Sequence, residues 1–233
     1  MGKSIFVSFD IDGTLVICEG SLKEHQEAFK EAVTELFGEC DVPEKFLNHS
    51  IDGWMDKRIL AAMITKAGFD ANEDNLNLAM QKTEEIYVMK AKSSSKIPPG
   101  VERVLSVLSN IPNIEIGVAS GNLPGIAWRK LELAGVAKYF TKRIGGFGVV
   151  IDRKDAIKAS QRMAESIHSQ SFDLYVHVGD TPNDVDAAHR ANATAVAVRT
   201  GRVNYESFPE PSLVLNNLEE GFQAFMDLII NKE

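Results

Sequence analysis

The stretch IFVSFDIDGTL, Ile5–Leu15, sets a short apolar run directly before two aspartates and a glycine. Ile5–Phe9 reads as a buried β-strand. Asp10 and Asp12 stand two residues apart, so in a continued strand they share a face. Two carboxylates held that close repel each other unless a cation is shared or one is protonated. Gly13 permits a sharp turn, and Thr14 adds a hydroxyl and a backbone donor. Such a cluster suits a hard cation that takes oxygen ligands, as Mg2+ does. Asp-Gly alone would read as a turn with solvated acids; the buried strand in front of it favours a site.

Three further apolar stretches repeat the pattern: Ile114–Ala119, Leu174–Val178 and Ala195–Val198. Each is followed by small or acidic residues and then by a helical pattern. Strands alternating with helices predict a parallel sheet covered on both faces, with ligands gathered at the carboxyl ends of its strands. Pro124 and Pro182 stand where the first turn of a helix tolerates proline.

From about Ser21 to Lys92 the pattern changes to helices alone. Ser21 and Glu24 have capping-box spacing, and Gly38 ends the run they open. Ile59, Leu60, Met63, Ile64 and Ala67 form an apolar stripe at helical spacing, and a third helical pattern runs from Asn75 to about Lys90. Loop-like stretches, Cys18–Ser21 and Ser93–Gly100, bracket the region. They read as linkers able to act as hinges, with Cys18 as a hinge residue.

Composition narrows the function classes. The 233 residues carry a formal charge of −8, and no basic stripe is visible, which argues against a nucleic-acid partner. Two cysteines do not make a disulfide scaffold, so a reducing cytoplasm is expected. No apolar run suggests a membrane span, and Ile5–Phe9 is too short for a signal peptide. Phe6 stands where a myristoylation signal wants Ser or Thr.

Two more segments carry chemistry. In VGDTPNDVDAA, Val178–Ala188, Asp180 and Asp184 fall at a strand end and in the first helical turn, where both can face one space. Helix capping by Thr181 and Asp184 is the competing reading. In VASGN, Val118–Asn122, Ser120 and the neighbouring backbone of Gly121 and Asn122 form a candidate phosphate cradle at a helix start.

DIDGT, VASGN and GDTPND, in that order, resemble the first, second and fourth motifs of the haloacid dehalogenase-like hydrolase superfamily. The helical insertion resembles the cap of its phosphoglycolate phosphatase-like and β-phosphoglucomutase-like members. The resemblance implies an α/β fold: a Rossmann-like parallel sheet core with helices on both faces and an inserted α-helical cap domain. Residues 1–17 and 97–233 would form the core and 18–96 the cap. It further implies a Mg2+-dependent phosphatase acting on a small phosphorylated metabolite through an aspartyl-phosphate. Asp10 would be nucleophile and metal ligand. Asp12 would be general acid/base and would reach the metal through its backbone carbonyl. Thr14 and Ser120 would contact phosphate, and Asp180 and Asp184 would support Mg2+.

The third motif departs from the family's usual Lys-Pro pair. Here GGFGVVIDRKD offers Arg153 as the phosphate-neutralising cation, with Lys154 behind it. In the insertion, GWMDKRIL resembles the cap segment that overlies the site in relatives. Trp54, Asp56 and Arg58 are its candidates for meeting the leaving group, against capping by Asp56 and core packing by Trp54. Trp128 reads as packing. The five histidines are dispersed without metal-ligand spacing and read as core or surface residues. A metal-free dehalogenase would not need Asp12, and no feature marks Lys23 or Lys57 as the Schiff-base lysine of a phosphonate hydrolase. A phosphomutase keeps the same core residues and stays open, as do the substrate and the oligomeric state. A non-catalytic binding module would not need all four aspartates.

Overall fold

A computed structural model describes residues 2–17, 19–47, 51, 53–92, 95–202 and 207–230. Its centre is a six-stranded, all-parallel sheet: β1 (Ile5–Phe9), β2 (Ile114–Ala119), β3 (Gly145–Gly146), β4 (Leu174–Gly179), β5 (Thr194–Val198) and β6 (Leu213–Leu215). Spatial order is β3-β2-β1-β4-β5-β6. The order reverses direction between β1 and β4, and there a doubly wound sheet opens a crevice beyond its strand ends. Register sharpens the point. Phe9 pairs with Val118 on one side and Val178 on the other, so all three motif-bearing strands end level.

Alternation along β1 builds both layers. Ile5, Val7 and Phe9 join one apolar cluster with α4 (Val101–Leu108), α5 (Pro124–Leu133) and α8 (Phe222–Ile230). Phe6 faces the other way, toward Ile144, Ala164 and Phe172. On that second face lie α6 (Arg153–His168) and α7 (Pro182–Arg190), where Ile157, Val185 and Ala188 meet Ala195 and Ala197. The sequence-predicted α/β class and Rossmann-like architecture hold. β3 and β6 were not foreseen, being two and three residues long.

Between β1 and α4 the described regular structure is helical: α1 (Glu19–Phe37), a short 3-10 turn at Pro43–Lys45, α2 (Asp56–Lys66) and α3 (Glu73–Lys90). Gly38, at φ +98°, follows the end of α1. The expected cap at Ser21 is corrected, because α1 already begins at Glu19. Asn72 caps α3 through a bond from the Asn75 amide, so that helix starts earlier than its apolar pattern suggested. The candidate hinge Cys18 and the linker residues Ser93 and Ser94 lie outside the described residues.

These helices have their own apolar cluster, including Phe29, Leu60, Met63, Ile64 and Tyr87. Leu123 and Ile126 of the sheet layer complete it, both wholly buried. No helix among the described residues is long and apolar enough to cross a membrane.

Candidate active site

Each motif residue stands where the level strand ends leave it. Asp10 is the first residue beyond β1, Ser120 the first beyond β2 and Asp180 the first beyond β4. Gly13 turns the chain back at φ +86°, and a side chain there would collide with the Asp180 carboxylate. Glycine is therefore required twice over, by conformation and by close approach. Asp10, Asp180 and Asp184 are all buried, and each offers a carboxylate oxygen within 4.8 Å of the others'. The side-chain carboxylate of Asp12 stays outside this group and turns to other partners.

Asp184 caps its helix and also faces the acid cluster. It is the third residue of α7, where its Oδ2 accepts the Thr181 amide at 3.0 Å while Thr181 Oγ1 accepts the Asp184 amide at 3.2 Å. That capping box pins the side chain, and Oδ1 is left to face the acid cluster. There it meets the Arg153 guanidinium, which also approaches Asp10 Oδ1 at 3.2 Å. His177 Nε2 stands 3.5 Å from the same Oδ1.

The charges split the aspartates into two kinds. Burial pushes the Asp10 pKa up to about 6; Arg153 opposes this, and Asp184 and Asp12 reinforce it. Burial also lifts Asp180 well above the ordinary range, with Asp184 and Asp10 adding to the rise. For Asp184 burial acts upward, but Arg153 and His177 outweigh it and the pKa falls. Asp12 behaves alike: burial raises it, and the charge of Lys130 beside it brings the net shift below the usual value.

Asp12 is held by a second polar set. Its Oδ2 accepts from Lys130 Nζ at 2.6 Å and from Asn122 Nδ2 at 2.7 Å. Asn122 also donates to Ser120 Oγ at 2.8 Å. Lys130 is wholly buried, donates to Asn122 Oδ1 at 2.8 Å and lies 3.4 Å from His25 Nδ1. Thr14 Oγ1 donates to Asp180 Oδ1 at 3.2 Å.

Arg153 and Lys154 part company here. Arg153 opens α6 buried in the acid cluster and donates to Gly53 O, across the helical insertion, at 3.3 Å. Lys154 turns away and pairs with Asp155 at 3.4 Å. Gly121 lies against the insertion, its carbonyl accepting the Asp56 amide at 2.8 Å. Asp56 Oδ2 accepts the Leu123 amide at 2.7 Å and faces His25 Nε2 at 3.1 Å.

A cavity of about 130 Å³ opens over the cluster, lined by Asp10, Asp12, Ser120, Gly121, Asn122, Arg153 and Asp180 from the sheet layer. Trp54 and Asp56 line it from the insertion. Arg58 does not; it is exposed and stacks on the Trp54 ring, 3.7 Å from its centroid. Trp128 is packing, edge-on to Phe140 and Phe147.

Lys130, His25 and His177 were missed in the sequence. Lys130 left a readable signal, since it falls in the apolar stripe Leu123, Ile126, Ala127, Leu131 on the buried face of α5. The two histidines left none, because their partners are distant in sequence.

A family model described as haloacid dehalogenase-like hydrolase matches residues 7–192. No curated protein matches the chain in sequence. Among solved structures, β-phosphoglucomutase from Clostridium difficile superposes with a TM-score of 0.69 at 21% identity, covering 100% of this chain and 98% of that one. A mutant of CbbY from Rhodobacter sphaeroides in complex with xylulose-(1,5)bisphosphate gives 0.70 at 16%, covering 94% and 96%. A predicted phosphoglycolate phosphatase from Haemophilus somnus gives 0.63 at 20%, covering 96% and 98%. At these identities the structural likeness speaks for the fold, and the family match runs from inside β1 through α7, across every motif described. The chain belongs to the haloacid dehalogenase-like hydrolases.

Proposed function

We propose that this hydrolase is a Mg2+-dependent phosphatase that cleaves a small-molecule phosphate monoester through an aspartyl-phosphate on Asp10. The observation that carries the reading is the convergence of Asp10, Asp180 and Asp184 at adjacent strand ends, with Arg153 between two of them. Three buried carboxylates within 4.8 Å of one another form an all-oxygen donor set that suits a hard divalent cation. Asp10 Oδ1 fits the same reading, since it is buried without a well-aligned hydrogen bond. Asp10, Asp180, Asp184 and the backbone carbonyl of Asp12 would hold Mg2+, which when bound offsets negative charge between nucleophile and phosphate.

The chain's own groups account for the rest. An Asp10 oxygen attacks phosphorus, the ester P–O bond breaks, and the leaving alkoxide takes a proton from Asp12. Asp12, now a carboxylate, takes a proton from the water that attacks phosphorus; the P–O bond to Asp10 breaks, its carboxylate is restored, and inorganic phosphate departs. Lys130 favours the carboxylate that this second step needs. A dianionic substrate arriving beside Asp12 works against that preference and favours the acid. Arg153, Ser120, Thr14 and the backbone at Gly121 and Asn122 hold the phosphate. Residues 18–96 act as a cap that excludes water.

A phosphatase screen over small phosphate esters, with and without Mg2+, tests the proposal. Phosphate release that needs Mg2+ and stops in excess chelator is expected. Undiminished activity in chelator would overturn it in favour of a metal-free hydrolase.

A further inference from the structure

The cavity wall supplied by the helical insertion is chemically distinct from that of the sheet layer. It includes Leu22, Phe29, Val42, Pro43, Ile51 and Ile59. Two polar side chains of the insertion stand among them, Gln26 and Glu44. Gln26 Nε2 donates to Glu44 Oε1 at 3.0 Å. The other oxygen, Glu44 Oε2, is buried and has no hydrogen-bond partner among the described residues. His25 and Asp56 also line the cavity, but they face each other.

The two arginines lining the cavity come from outside the insertion. Arg153 lies in the acid cluster, and Arg202 follows Gly201, which packs against the Asp180 carboxylate. Among the described residues, the insertion contributes no lysine or arginine to the lining. Arg58, a candidate for meeting the leaving group, is not among the lining residues.

We infer that the substrate is a phosphate ester of an alcohol with an apolar body and a hydrogen-bond donor, a hydroxyl or an ammonium, at its far end. This inference rests on the phosphatase reading and names its substrate class. An apolar body displaces water from the aliphatic and aromatic walls. A terminal donor meets the Glu44 carboxylate on the cavity wall, whose Oε2 has no hydrogen-bond partner among the described residues. A terminal carboxylate or second phosphate would enter a largely apolar chamber beside Glu44, with no lysine or arginine among the described cap residues of the lining to pair it.

The test uses the full chain with Mg2+ and phosphate esters of one short straight alcohol, differing only at the far end: methyl, hydroxyl, ammonium or carboxylate. Acetyl phosphate serves as a substrate without a tail. The hydroxyl or the ammonium ester should show the highest kcat/KM, and the carboxylate ester should fall about tenfold or more below it. A lead for hydroxyl identifies a neutral leaving group, and a lead for ammonium a cationic one. Glu44→Lys should reverse the order of ammonium and carboxylate. Glu44→Gln, nearly isosteric, provides the same comparison should the lysine disturb folding, and it should shrink the gap between those two esters. Equal or better turnover of the carboxylate ester by the wild type overturns the inference, as does an order unchanged in both variants. Turnover of acetyl phosphate with none of the four esters does so too. Failure on acetyl phosphate and all four esters alike would instead bring down the phosphatase reading beneath it.

Discussion

Lys130 Nζ lies 2.6 Å from Asp12 Oδ2, and the lysine is wholly buried while the Asp12 side chain keeps 28% of its surface open toward the cavity. The pair thus has one anchored end and one working end. Lys130 stands on α5, whose first residues also meet the helical insertion, so the same helix orients the proposed acid/base and seats the cap.

Lys130→Met keeps the length of the side chain and removes the donor. Asp12 and Asn122 then lose a shared partner, and folding stability should fall by about 3 kcal/mol, as when one member of a buried pair is removed. Turnover should fall by about a hundredfold, because Asp12 is no longer held in place. KM should move little, since Lys130 does not line the cavity. A loss in KM with kcat intact would show that the lysine serves binding rather than the orientation of Asp12.

Asp10 and Asp180 predict a metal response visible without turnover. Mg2+ at a hundredfold excess over its Kd should stabilise the wild type by about 2.7 kcal/mol, or roughly 5–10 °C in thermal unfolding. Asp180→Asn should raise the metal-free melting temperature, because one of three crowded carboxylates becomes neutral, and it should shrink the Mg2+ response. Asp10→Asn should abolish turnover and leave the fold intact. An Asp180→Asn protein with the full Mg2+ shift would remove that residue from the metal site.

Arg153 and Lys154 are adjacent in sequence and opposite in fate. Arg153→Ala removes the cation between Asp10 and Asp184 and should cost about a thousandfold in turnover. Arg153→Lys should recover only part of this, because an ammonium does not reproduce the two-pronged guanidinium that reaches both Asp184 and Gly53. Lys154→Ala should change turnover by no more than about twofold. Steady-state assays of the three variants decide which residue neutralises phosphate.

The contrast between those neighbours marks how far the sequence could be read. The four aspartates were legible because each follows an apolar strand or opens the helix after it, and level strand ends bring such positions together. The helical stripe of α2 was legible for the same local reason. Which of two adjacent basic residues enters the site depends on how α6 sits on the sheet, which no spacing encodes. Glu44 lies in a short turn beside no motif, and its orphaned oxygen exists only because cap helices enclose it. Arg58 was a candidate for meeting the leaving group, but it is exposed and stacks on Trp54. β3 is a pair of glycines whose strand character comes wholly from pairing with Val118 and Ala119.

Ile126 connects the apolar cluster of the insertion to the sheet layer, and its burial predicts how the cap moves. Ile126 and Leu123 are both wholly enclosed, so lifting the cap clear would expose them at about 1.5–3 kcal/mol each. It would also break the bonds from the Asp56 amide to Gly121 O and from the Lys57 amide to Gly148 O, at 2.8 and 2.9 Å. Opening that pivots about α5 keeps the apolar contact and releases polar bonds along this edge, those two and the Arg153–Gly53 bond among them. Ile126→Ala should loosen the pivot, destabilising the protein by about 2–5 kcal/mol and raising KM. It should also speed hydrogen exchange at the Asp56 and Lys57 amides more than within the sheet. Arg58→Ala, by contrast, should alter neither KM nor exchange at those amides. If Ile126→Ala leaves exchange there at the wild-type rate relative to the sheet, the α5 contact is not the pivot. The hinge must then be sought in the two segments that join the insertion to β1 and α4.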